Sequence, residues 1–568
     1  MEKPWLKFYE PHVPEFIDYP PTVMPAVLEE TARKYPDHTA LIFKGAKLTF
    51  RQYNQSVDRF AGALQKLGVK KGDRVAIHLP NCPQFPITYY AILRIGGIVV
   101  PCNPIYTARE MRHQLSDSGA EVIVTLSAMY PVIQQIRAET QLQHTVVAKI
   151  KTYFPPFLRV LFTLLMEKKM GHKADISGDA NTYWFQDVLA DAPAKPVPVE
   201  VGMGDTAVLM YTGGTTGISK GAQLTHKNIL VNAVQCQVWI NGEEAQDVSM
   251  TALPLYHSYA MTTCMNLGTL IASTLLLIPD PRDLEDVLQS ITKHKPTQYP
   301  GVPAMYIAIN NYPDLSKYDV SSIKACISGA APLPVEVQQR FQELTGARLV
   351  EGYGLSEASP VTHGNPVFGE NRVGTIGLPW PDTEVKIVDA ATGEKVMGVG
   401  EEGELCIRGP QVMKGYWNMP TETANALRPD PEGGGPWLHT GDIAVMDEDG
   451  YFKIVDRKKD MILSAGGYNI YPREVEDVLY EHASVREAAA VGVPVVGEGE
   501  RVKVYIVLKE GGTATEEEII AFCRENLAPY KVPKFVEFRD DLPKTMLGKV
   551  LRRVLAEEEK KKQVEAEQ

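Results

Sequence analysis

Apolar positions recur along this chain with two alternating patterns. Segments 23–35 and 50–67 place apolar residues three and four apart, which predicts amphipathic helices, and Thr49 with Gln52 predicts a capping box before the second. Between such segments lie short, mainly apolar runs of strand length: 74–79, 98–100 and 122–126. This alternation of helices with short buried strands predicts an α/β fold with a largely parallel sheet.

The same alternation continues beyond residue 200. It predicts strands at 207–211, 275–278, 323–328 and 348–351, and helices at 227–238, 284–294 and 335–345. From about residue 372 the pattern changes to short strands separated by glycine-rich turns, at 384–388, 404–408 and 452–455. We therefore expect two α/β subdomains followed by a small β-barrel within residues 1–456.

The last part of the chain, residues 457–568, has its own pattern. It predicts a proline-started helix at 472–482, strands at 487–493 and 503–509, a helix opened by a capping box at Thr515, and a charged helix at 557–568. This is the usual size of an independent domain. We expect a small α+β C-terminal domain.

Composition narrows the classes of function. The net charge of −12 disfavours nucleic acid as a partner, since an acidic surface repels it. The seven cysteines include no C-x-x-C pair, and the twelve histidines no H-E-x-x-H pair, so neither a disulfide framework nor a zinc site is expected. The N-terminus has no apolar core of signal-peptide length, and the longest apolar run, 267–279, is too short to span a membrane, so we predict a cytoplasmic protein.

Residues 151–170 stand apart, because apolar and aromatic residues are flanked there by lysines. The favoured interpretation is a buried connecting helix. The alternative is an interfacial segment that touches a membrane or guides an apolar substrate.

The strongest chemical feature is the segment 211–221, YTGGTTGISKG, which directly follows a predicted buried strand. Its glycines let the backbone approach a phosphate and aim several N–H groups at it, while threonine hydroxyls and Lys220 add donors and charge. The segment is not a Walker A loop, because glycine does not precede the lysine and no hydroxyl follows it. It predicts a site for a nucleoside triphosphate.

This segment resembles the phosphate loop of the adenylate-forming superfamily, which includes acyl-CoA synthetases, luciferases and peptide-synthetase adenylation domains. Three further segments resemble family motifs, in the family's order: 351–357 (EGYGLSE), 438–442 (LHTGD) with 455–457 (VDR), and 542–549 (LPKTMLGK). The resemblance extends from about residue 25 to 553. It implies ATP-dependent activation of a carboxylate as an acyl-adenylate, followed by transfer to a thiol.

The resemblance implies a role for each motif residue. Lys549, His257 and Thr215 are the expected catalytic residues, and Glu357 with Thr215 would bind Mg²⁺. ATP and AMP would be bound by Thr212, Gly213, Gly214, Thr215, Thr216, Gly217, Lys220, Gly329, Ala330, Ala331, Glu351, Gly352, Tyr353, Gly354, Ser356, Asp442 and Arg457. Tyr353 would stack on adenine, Asp442 would accept hydrogen bonds from the ribose, and His257 would position or gate the acyl group.

The resemblance also implies a mobile C-terminal domain. Lys549 would neutralise charge between the carboxylate and the α-phosphate and then withdraw to admit CoA. The hinge for this movement would be Lys459. The CoA passage would be lined by Ser464, Ala465, Gly466, Gly467 and Tyr468.

The acid itself is less constrained. Residues 437–460 resemble the corresponding segment of bacterial long-chain fatty acid–CoA ligases, although Gly213 stands where many relatives have a hydroxyl residue. We predict a long-chain fatty acid–CoA ligase that uses ATP, Mg²⁺ and CoA. The alternatives are an aryl- or medium-chain acyl-CoA ligase, a ligase loading a carrier protein, and a nucleotide-binding regulator. Two further partners stay open: the inner face of the membrane and a second copy of the chain.

Overall fold

The computed structural model describes residues 3–212, 219–430, 433–463, 469–495, 499–545 and 548–566. Packing divides the chain into two compact units. The large unit comprises residues 6–384 and 408–436, and the small unit comprises residues 1–5, 385–407 and 437–568.

The large unit contains an eight-stranded sheet. Its strands, in spatial order, are Gly415–Tyr416, Lys220–Thr225, Thr206–Thr212, Ile98–Pro101, Arg74–His78, Val122–Leu126, His144–Ala148 and Thr182–Trp184. The last six run parallel, and four of them, at 74–78, 98–101, 122–126 and 206–212, match predicted strands. At one edge, Lys220–Thr225 pairs antiparallel with Thr206–Thr212, and Gly415–Tyr416 pairs antiparallel with Lys220–Thr225. The strand Val122–Leu126 is buried at every position, as expected where helices cover both faces of a parallel sheet.

Two further sheets of four strands each complete the large unit. The first contains Val248–Thr251, Thr274–Leu277, Thr39–Phe43 and Ala46–Thr49, and the second contains Ala325–Ser328, Arg348–Gly354, Val361–Gly364 and Leu378–Pro379. Single bridges from Gln298 to Ser249 and to Ala325 join the two. A short strand, Leu427–Arg428, also belongs to this unit.

The predicted helices at 23–35, 50–67, 227–238, 284–294 and 335–345 begin within one residue of their predicted starts. Thr49 caps Phe50–Lys66: its hydroxyl accepts from the backbone N–H of Gln52 at 3.2 Å, and its own N–H donates to the Gln52 side chain at 2.9 Å. The α-helices are Met24–Lys34, Phe50–Lys66, Gln84–Arg94, Ala108–Ser118, Tyr130–Ile136, Pro156–Leu165, Phe185–Ala190, His226–Trp239, Ser258–Ala260, Leu267–Leu270, Leu284–His294, Pro303–Asn310, Val335–Thr345 and Pro420–Ala426. A π-helical turn, Met261–Asn266, connects two of them.

In its described residues, the small unit combines mostly antiparallel strands with three α-helices, and Phe535–Phe538 pairs parallel with Gly499–Leu508. Its strands are Glu384–Val388, Gly403–Arg408, Trp437–Met446, Phe452–Arg457, Ile462–Leu463, Asn469–Ile470, Val485–Val495, Gly499–Leu508 and Phe535–Phe538, and its helices are Pro472–Tyr480, Glu516–Asn526 and Arg552–Ala566. The last helix begins five residues before the predicted start at 557, because Arg552 forms ion pairs and Leu555 is fully buried, so tertiary contacts anchor the first turn.

The α/β fold, with a large N-terminal part and a smaller C-terminal part, is confirmed. The boundary at 456/457 and the mobility of residues 457–568 stay predictions. The interpretation of 151–170 as a buried connecting helix is wrong: within Pro156–Leu165 only Phe162 is buried. None of the helices in the described ranges is both long enough and apolar enough to cross a membrane.

Candidate functional site

The two antiparallel strands that flank the glycine- and threonine-rich segment pair as a β-hairpin. Thr212 ends one strand, Lys220 begins the next, and the two residues are register partners. The Ser219 hydroxyl donates to the Thr212 carbonyl at 2.8 Å and so adds a contact between the two strand ends. The predicted phosphate-binding residues Gly213, Gly214, Thr215, Thr216 and Gly217 lie outside the described residues.

Lys220 and Glu357, distant in sequence, are connected by one tyrosine. The Tyr416 hydroxyl donates to Oε1 of Glu357 at 2.7 Å, and the Lys220 ammonium lies 5.1 Å from the centre of the Tyr416 ring. Lys220 also forms an ion pair with Glu422. Lys220, predicted to bind phosphate, and Glu357, predicted to bind the metal, therefore lie in one neighbourhood. There the Lys220 ammonium is already paired with the Glu422 carboxylate.

Glu357 suits a magnesium site in which the phosphates of a nucleotide supply further ligands. The turn Ser356–Ala358 packs against both strands of the hairpin. The described residues contain no group of three or more His, Cys, Asp or Glu that could hold a metal alone. At nucleotide sites Mg²⁺ takes one or two carboxylates and completes its shell with phosphates and water, so one oriented carboxylate suits it.

His257 lies next to this neighbourhood as a neutral side chain. Its Nδ1 accepts the backbone N–H of Tyr259 at 3.2 Å, which assigns the proton to Nε2. Burial lowers the pKa of His257 to about 4, so the ring donates a hydrogen bond at neutral pH without carrying charge. The adjacent Ser258 hydroxyl lies 3.2 Å from the Ser356 hydroxyl, next to Glu357.

One strand end places the predicted adenine segment beside Tyr259. Ser328 ends its strand and is the register partner of Glu351, so the loop after Ser328 leaves the sheet beside the last residues of the strand Arg348–Gly354. A Cβ on Gly329 would lie 3.1 Å from the Tyr259 ring, and Ala330 has a positive φ of 67°. Glycine at 329 and strain at 330 keep this loop close to the tyrosine.

The other predicted adenine residues are fixed by the neighbouring strand. The Tyr353 ring meets the His363 ring edge-on, with centres 5.8 Å apart. Oε2 of Glu351 accepts the Leu333 N–H at 3.2 Å, which holds the loop that follows Ala331. Glu351 therefore helps to hold this loop, and its contact with the nucleotide stays a prediction.

A cavity of about 350 Å³ begins on the other side of Tyr259. Its inner wall is lined by Tyr259, Thr263, Leu267, Pro300 and Ile327 among others, and its outer end by the exposed Asn241, Glu243 and Gln246. Its volume falls in the range of small-molecule sites. Tyr259 thus separates the loop at Gly329 from a chamber with an apolar inner wall.

In the small unit, Asp442 and Arg457 face each other on adjacent strands. They are register partners, and Nε of Arg457 lies 2.6 Å from Oδ1 of Asp442. Asp442 is almost completely buried, at 2% exposure. A buried carboxylate held by a guanidinium is an oriented acceptor, which suits the paired hydroxyls of a ribose.

Glu404 supports the turn that carries Asp442. It accepts the Gly441 N–H at 3.1 Å, and its other oxygen lies 3.0 Å from the Lys458 ammonium and 3.3 Å from Nδ1 of His439. Burial alone would raise the pKa of Glu404, but the bonds from His439 and Lys458 outweigh it and hold that pKa at about 2. The turn is therefore tied down by a fully ionised carboxylate.

Lys549 lies within the electrostatic reach of this pair. The Lys549 residue as a whole is exposed, but the protein atoms around its ammonium group partly desolvate that group. This desolvation and then the positive charge of Arg457 lower the pKa of Lys549 to about 8, with Asp442 acting in the opposite direction. The predicted catalytic lysine and ribose pair are thus electrostatically coupled.

A buried ion-pair network fixes the segment that contains the predicted hinge. Nη1 of Arg552 lies 2.9 Å from Oδ1 of Asp456 and 3.4 Å from Oδ2 of Asp460, and its other nitrogens pair with Glu476. Lys459 lies between the two aspartates, and desolvation lowers its pKa. The hinge role of Lys459 stays a prediction, and the predicted CoA residues Ser464, Ala465, Gly466, Gly467 and Tyr468 lie outside the described residues.

Sequence reasoning missed several residues of these neighbourhoods. Tyr416 connects Lys220 to Glu357, Glu422 pairs with Lys220, and Arg552 anchors the segment beside Lys459. Local sequence offers no signal for Tyr416 or Glu422, because their partners are distant along the chain. Arg552 follows Lys549 by three residues, so its position near the catalytic motif was the one available signal.

The chain belongs to the AMP-binding enzyme family: residues 28–417 match that family, and residues 474–549 match the AMP-binding enzyme C-terminal domain. It is 46% identical to the long-chain-fatty-acid–CoA ligase of Bacillus subtilis (strain 168), over 98% of each chain. It resembles the structure of the anthranilate CoA ligase AuaEII in complex with anthranoyl-AMP, with TM-score 0.82, 27% identity and coverage of 95% and 97%. ATP-bound MatB from Rhodopseudomonas palustris gives TM-score 0.80 and 27% identity, covering 94% and 99%.

Proposed function

We propose that this protein is a long-chain fatty acid–CoA ligase. In the first half-reaction the fatty carboxylate attacks the α-phosphorus of ATP, a P–O bond forms, and pyrophosphate leaves. In the second, the CoA thiolate attacks the acyl carbonyl, a C–S bond forms, and AMP leaves. The similarity over the full length to a relative bearing this name supports the overall activity.

The large unit would bind the triphosphate and orient the acid. Lys220 would exchange Glu422 for phosphate oxygens, since both are anionic partners of its ammonium. Glu357, oriented by Tyr416, would hold Mg²⁺, which supplies positive charge to the phosphates when bound. Neutral His257 would donate from Nε2 to an oxygen of the acid and thereby position it.

The small unit would hold the nucleoside and supply the mobile cation. Asp442, paired with Arg457, would accept the ribose hydroxyls, and Lys549 would offset the negative charge that gathers as carboxylate and phosphate meet. The glycine-rich segment 464–468 would leave room for CoA once Lys549 has withdrawn about Lys459. The two-pose movement and these CoA residues rest on the family resemblance.

The observation that carries the acyl assignment is the cavity beyond Tyr259. It touches the residue that packs on Gly329, so an acid held near His257 could extend its chain past Tyr259 along Leu267 and Ile327. An alkyl chain gains free energy from each methylene that it buries on such a wall. A small aryl acid would leave most of the chamber unfilled.

The test is CoA-dependent AMP release across saturated acids of increasing length, with benzoic acid for comparison. We expect long-chain acids to give the highest kcat/KM. Leu267→Trp, which fills the cavity, should lower kcat/KM about tenfold or more for long chains and spare short ones. The matched control is Ile307→Trp on an exposed helix face. A preference for aryl or short acids would refute the substrate assignment, and activity only with a holo-carrier protein would refute CoA as acceptor.

For location and assembly we propose a cytoplasmic protein that contacts the inner face of the membrane peripherally. Long-chain acids partition into bilayers, so such contact would bring the enzyme to its substrate. Homodimer formation stays a prediction that size measurements in solution would test.

A further inference from the structure

The helix Pro156–Leu165 turns its apolar stripe away from the protein. Phe157, Val160, Leu161 and Leu164 follow the i, i+3, i+4, i+7 spacing of one helix face, and all four are exposed. The exposed fractions of Phe157 and Leu164 are 80% and 75%. A surface helix normally packs this face on the core, so its exposure calls for a partner.

The opposite side of the helix holds it to the large unit by a small aromatic contact. Phe162 is buried at 9% exposure and meets Phe154 at right angles, with ring centres 5.3 Å apart. Phe154 in turn contacts Phe43 in the adjoining sheet at 5.6 Å. Lys151 closes the segment with an ion pair to Glu167 at 2.6 Å. The helix is therefore anchored in a fixed orientation with its stripe outward.

Basic residues surround the stripe. Residues 149–173 contain six Lys or Arg and one acidic residue, in a chain with a net charge of −12. Lys168, Lys169 and Lys173 follow the helix, are exposed, and form no ion pair with any residue in the described ranges. An apolar face beside free lysines is complementary to a surface that combines acyl chains with negative charge.

We propose that the exposed face of Pro156–Leu165, with Lys168, Lys169 and Lys173, docks the protein on an anionic lipid bilayer. Phe157, Val160, Leu161 and Leu164 enter the boundary between headgroups and acyl chains, while the lysines contact lipid phosphates. A second copy of the chain fits less well, because a twofold interface at this face would bring the lysines of both copies together. This inference names the surface and the lipid class for the proposed membrane contact.

The experiment is flotation of the full-length protein with vesicles of phosphatidylcholine alone or with added phosphatidylglycerol. We expect binding to the phosphatidylglycerol vesicles that falls as salt is raised. The double variant Phe157→Ser/Leu164→Ser should bind at least about tenfold more weakly. Its matched control is Val197→Ser, at a residue that is 71% exposed elsewhere on the large unit.

A second variant tests the charge. Lys168→Gln/Lys169→Gln/Lys173→Gln should weaken binding to phosphatidylglycerol vesicles about tenfold or more, whereas Lys227→Gln, at another exposed position, should not. Equal binding of wild type to both vesicle types, or of the triple variant and wild type, would overturn the anionic assignment. Absence of wild-type binding would overturn the whole proposal.

Two further readouts separate the alternatives. If Phe157→Ser/Leu164→Ser abolishes self-association of the lipid-free protein, a second copy covers the face and the proposal is overturned. Acid-dependent AMP release with a medium-chain acid supplied in solution should be the same in all variants and wild type. Absence of acid-dependent AMP release from the wild type with acids of every chain length would contradict the proposed function and leave the vesicle result standing.

Discussion

Asp442 and Arg457 are register partners on adjacent antiparallel strands, and their side chains form an ion pair at 2.6 Å. The backbone pairing places both side chains on one face, and the guanidinium gives the Asp442 carboxyl group, which is 2% exposed, a hydrogen-bonding partner. The two residues are fifteen positions apart in the sequence, and the hairpin turn between their strands brings them together. This pair gives the small unit a rigid acceptor for a ligand.

Asp442→Asn tests that role. The amide keeps the shape but loses the charge that strengthens hydrogen bonds from ribose hydroxyls, so KM for ATP should rise about tenfold to a hundredfold. Steady-state AMP release at varied ATP measures it. Glu448→Gln, an exposed change in the same hairpin, is the control and should leave KM unaltered. An unchanged KM in Asp442→Asn would contradict the assignment.

Lys549→Ala should separate the two half-reactions. Without the ammonium, pyrophosphate release should be abolished, because the cation proposed to lie where carboxylate and phosphate meet is lost. Conversion of supplied acyl-adenylate to acyl-CoA should continue, since in the proposed second pose the lysine would be withdrawn. Lys560→Ala, at an exposed helix position, serves as the control. Equal loss of both half-reactions would refute the two-pose role.

The lowered pKa of Lys549 predicts a pH dependence of adenylation. The folded protein holds this ammonium charged below about pH 8 and loses the proton above it, although an unperturbed lysine would stay charged to about 10.5. With subsaturating substrates, kcat/KM for pyrophosphate release should fall by about tenfold per pH unit above 8. Lys549→Arg, if active, should remove this decline, because guanidinium does not deprotonate. An identical decline in both proteins would assign it to another group.

The same shift affects folding stability. Between pH 8 and 10.5 the folded protein binds fewer protons at Lys549 than the unfolded chain does, so this residue makes the protein more stable as pH rises through that window.

Tyr416→Phe probes the link between Lys220 and Glu357. The ring stays beside Lys220, but the hydroxyl that donates to Glu357 at 2.7 Å is lost, so the carboxylate is less well oriented. The Mg²⁺ concentration for half-maximal activity should rise about tenfold. Tyr183→Phe on the far edge strand of the eight-stranded sheet is the control. An unaltered Mg²⁺ dependence would remove Glu357 and Tyr416 from the metal site.

Arg552→Met should destabilise the small unit. It leaves Asp456 and Glu476, at 2% and 11% side-chain exposure, without their cation, and should lower the free energy of unfolding by about 3 kcal/mol. Arg553→Met is a matched neighbour whose exposed pair with Glu557 contributes less than about 1 kcal/mol. Denaturant unfolding measures both. Equal effects of the two changes would show that the network adds nothing beyond surface pairing.

Much of the fold follows from local sequence. The helix Phe50–Lys66 and the buried strand Val122–Leu126 were predicted because periodicity, capping residues and apolar runs act within a few residues of each other. The segment 151–170 was predicted wrongly in its favoured form. Its apolar content fits both a buried helix and a segment at a membrane interface. Only the packing of Phe162 shows which face of the helix turns inward.

The sequence by itself determined the kinds of residue and the order of the motifs, because a phosphate hairpin or a capping box is specified by neighbours along the chain. It named Lys220, Glu357, Asp442 and Lys549. Only the tertiary structure decided that Tyr416 joins the first two, that Arg552 anchors the segment beside Lys459, and that a cavity lies beyond Tyr259. Such contacts join residues far apart in the chain, and their pairing depends on how whole sheets pack, which no local pattern encodes.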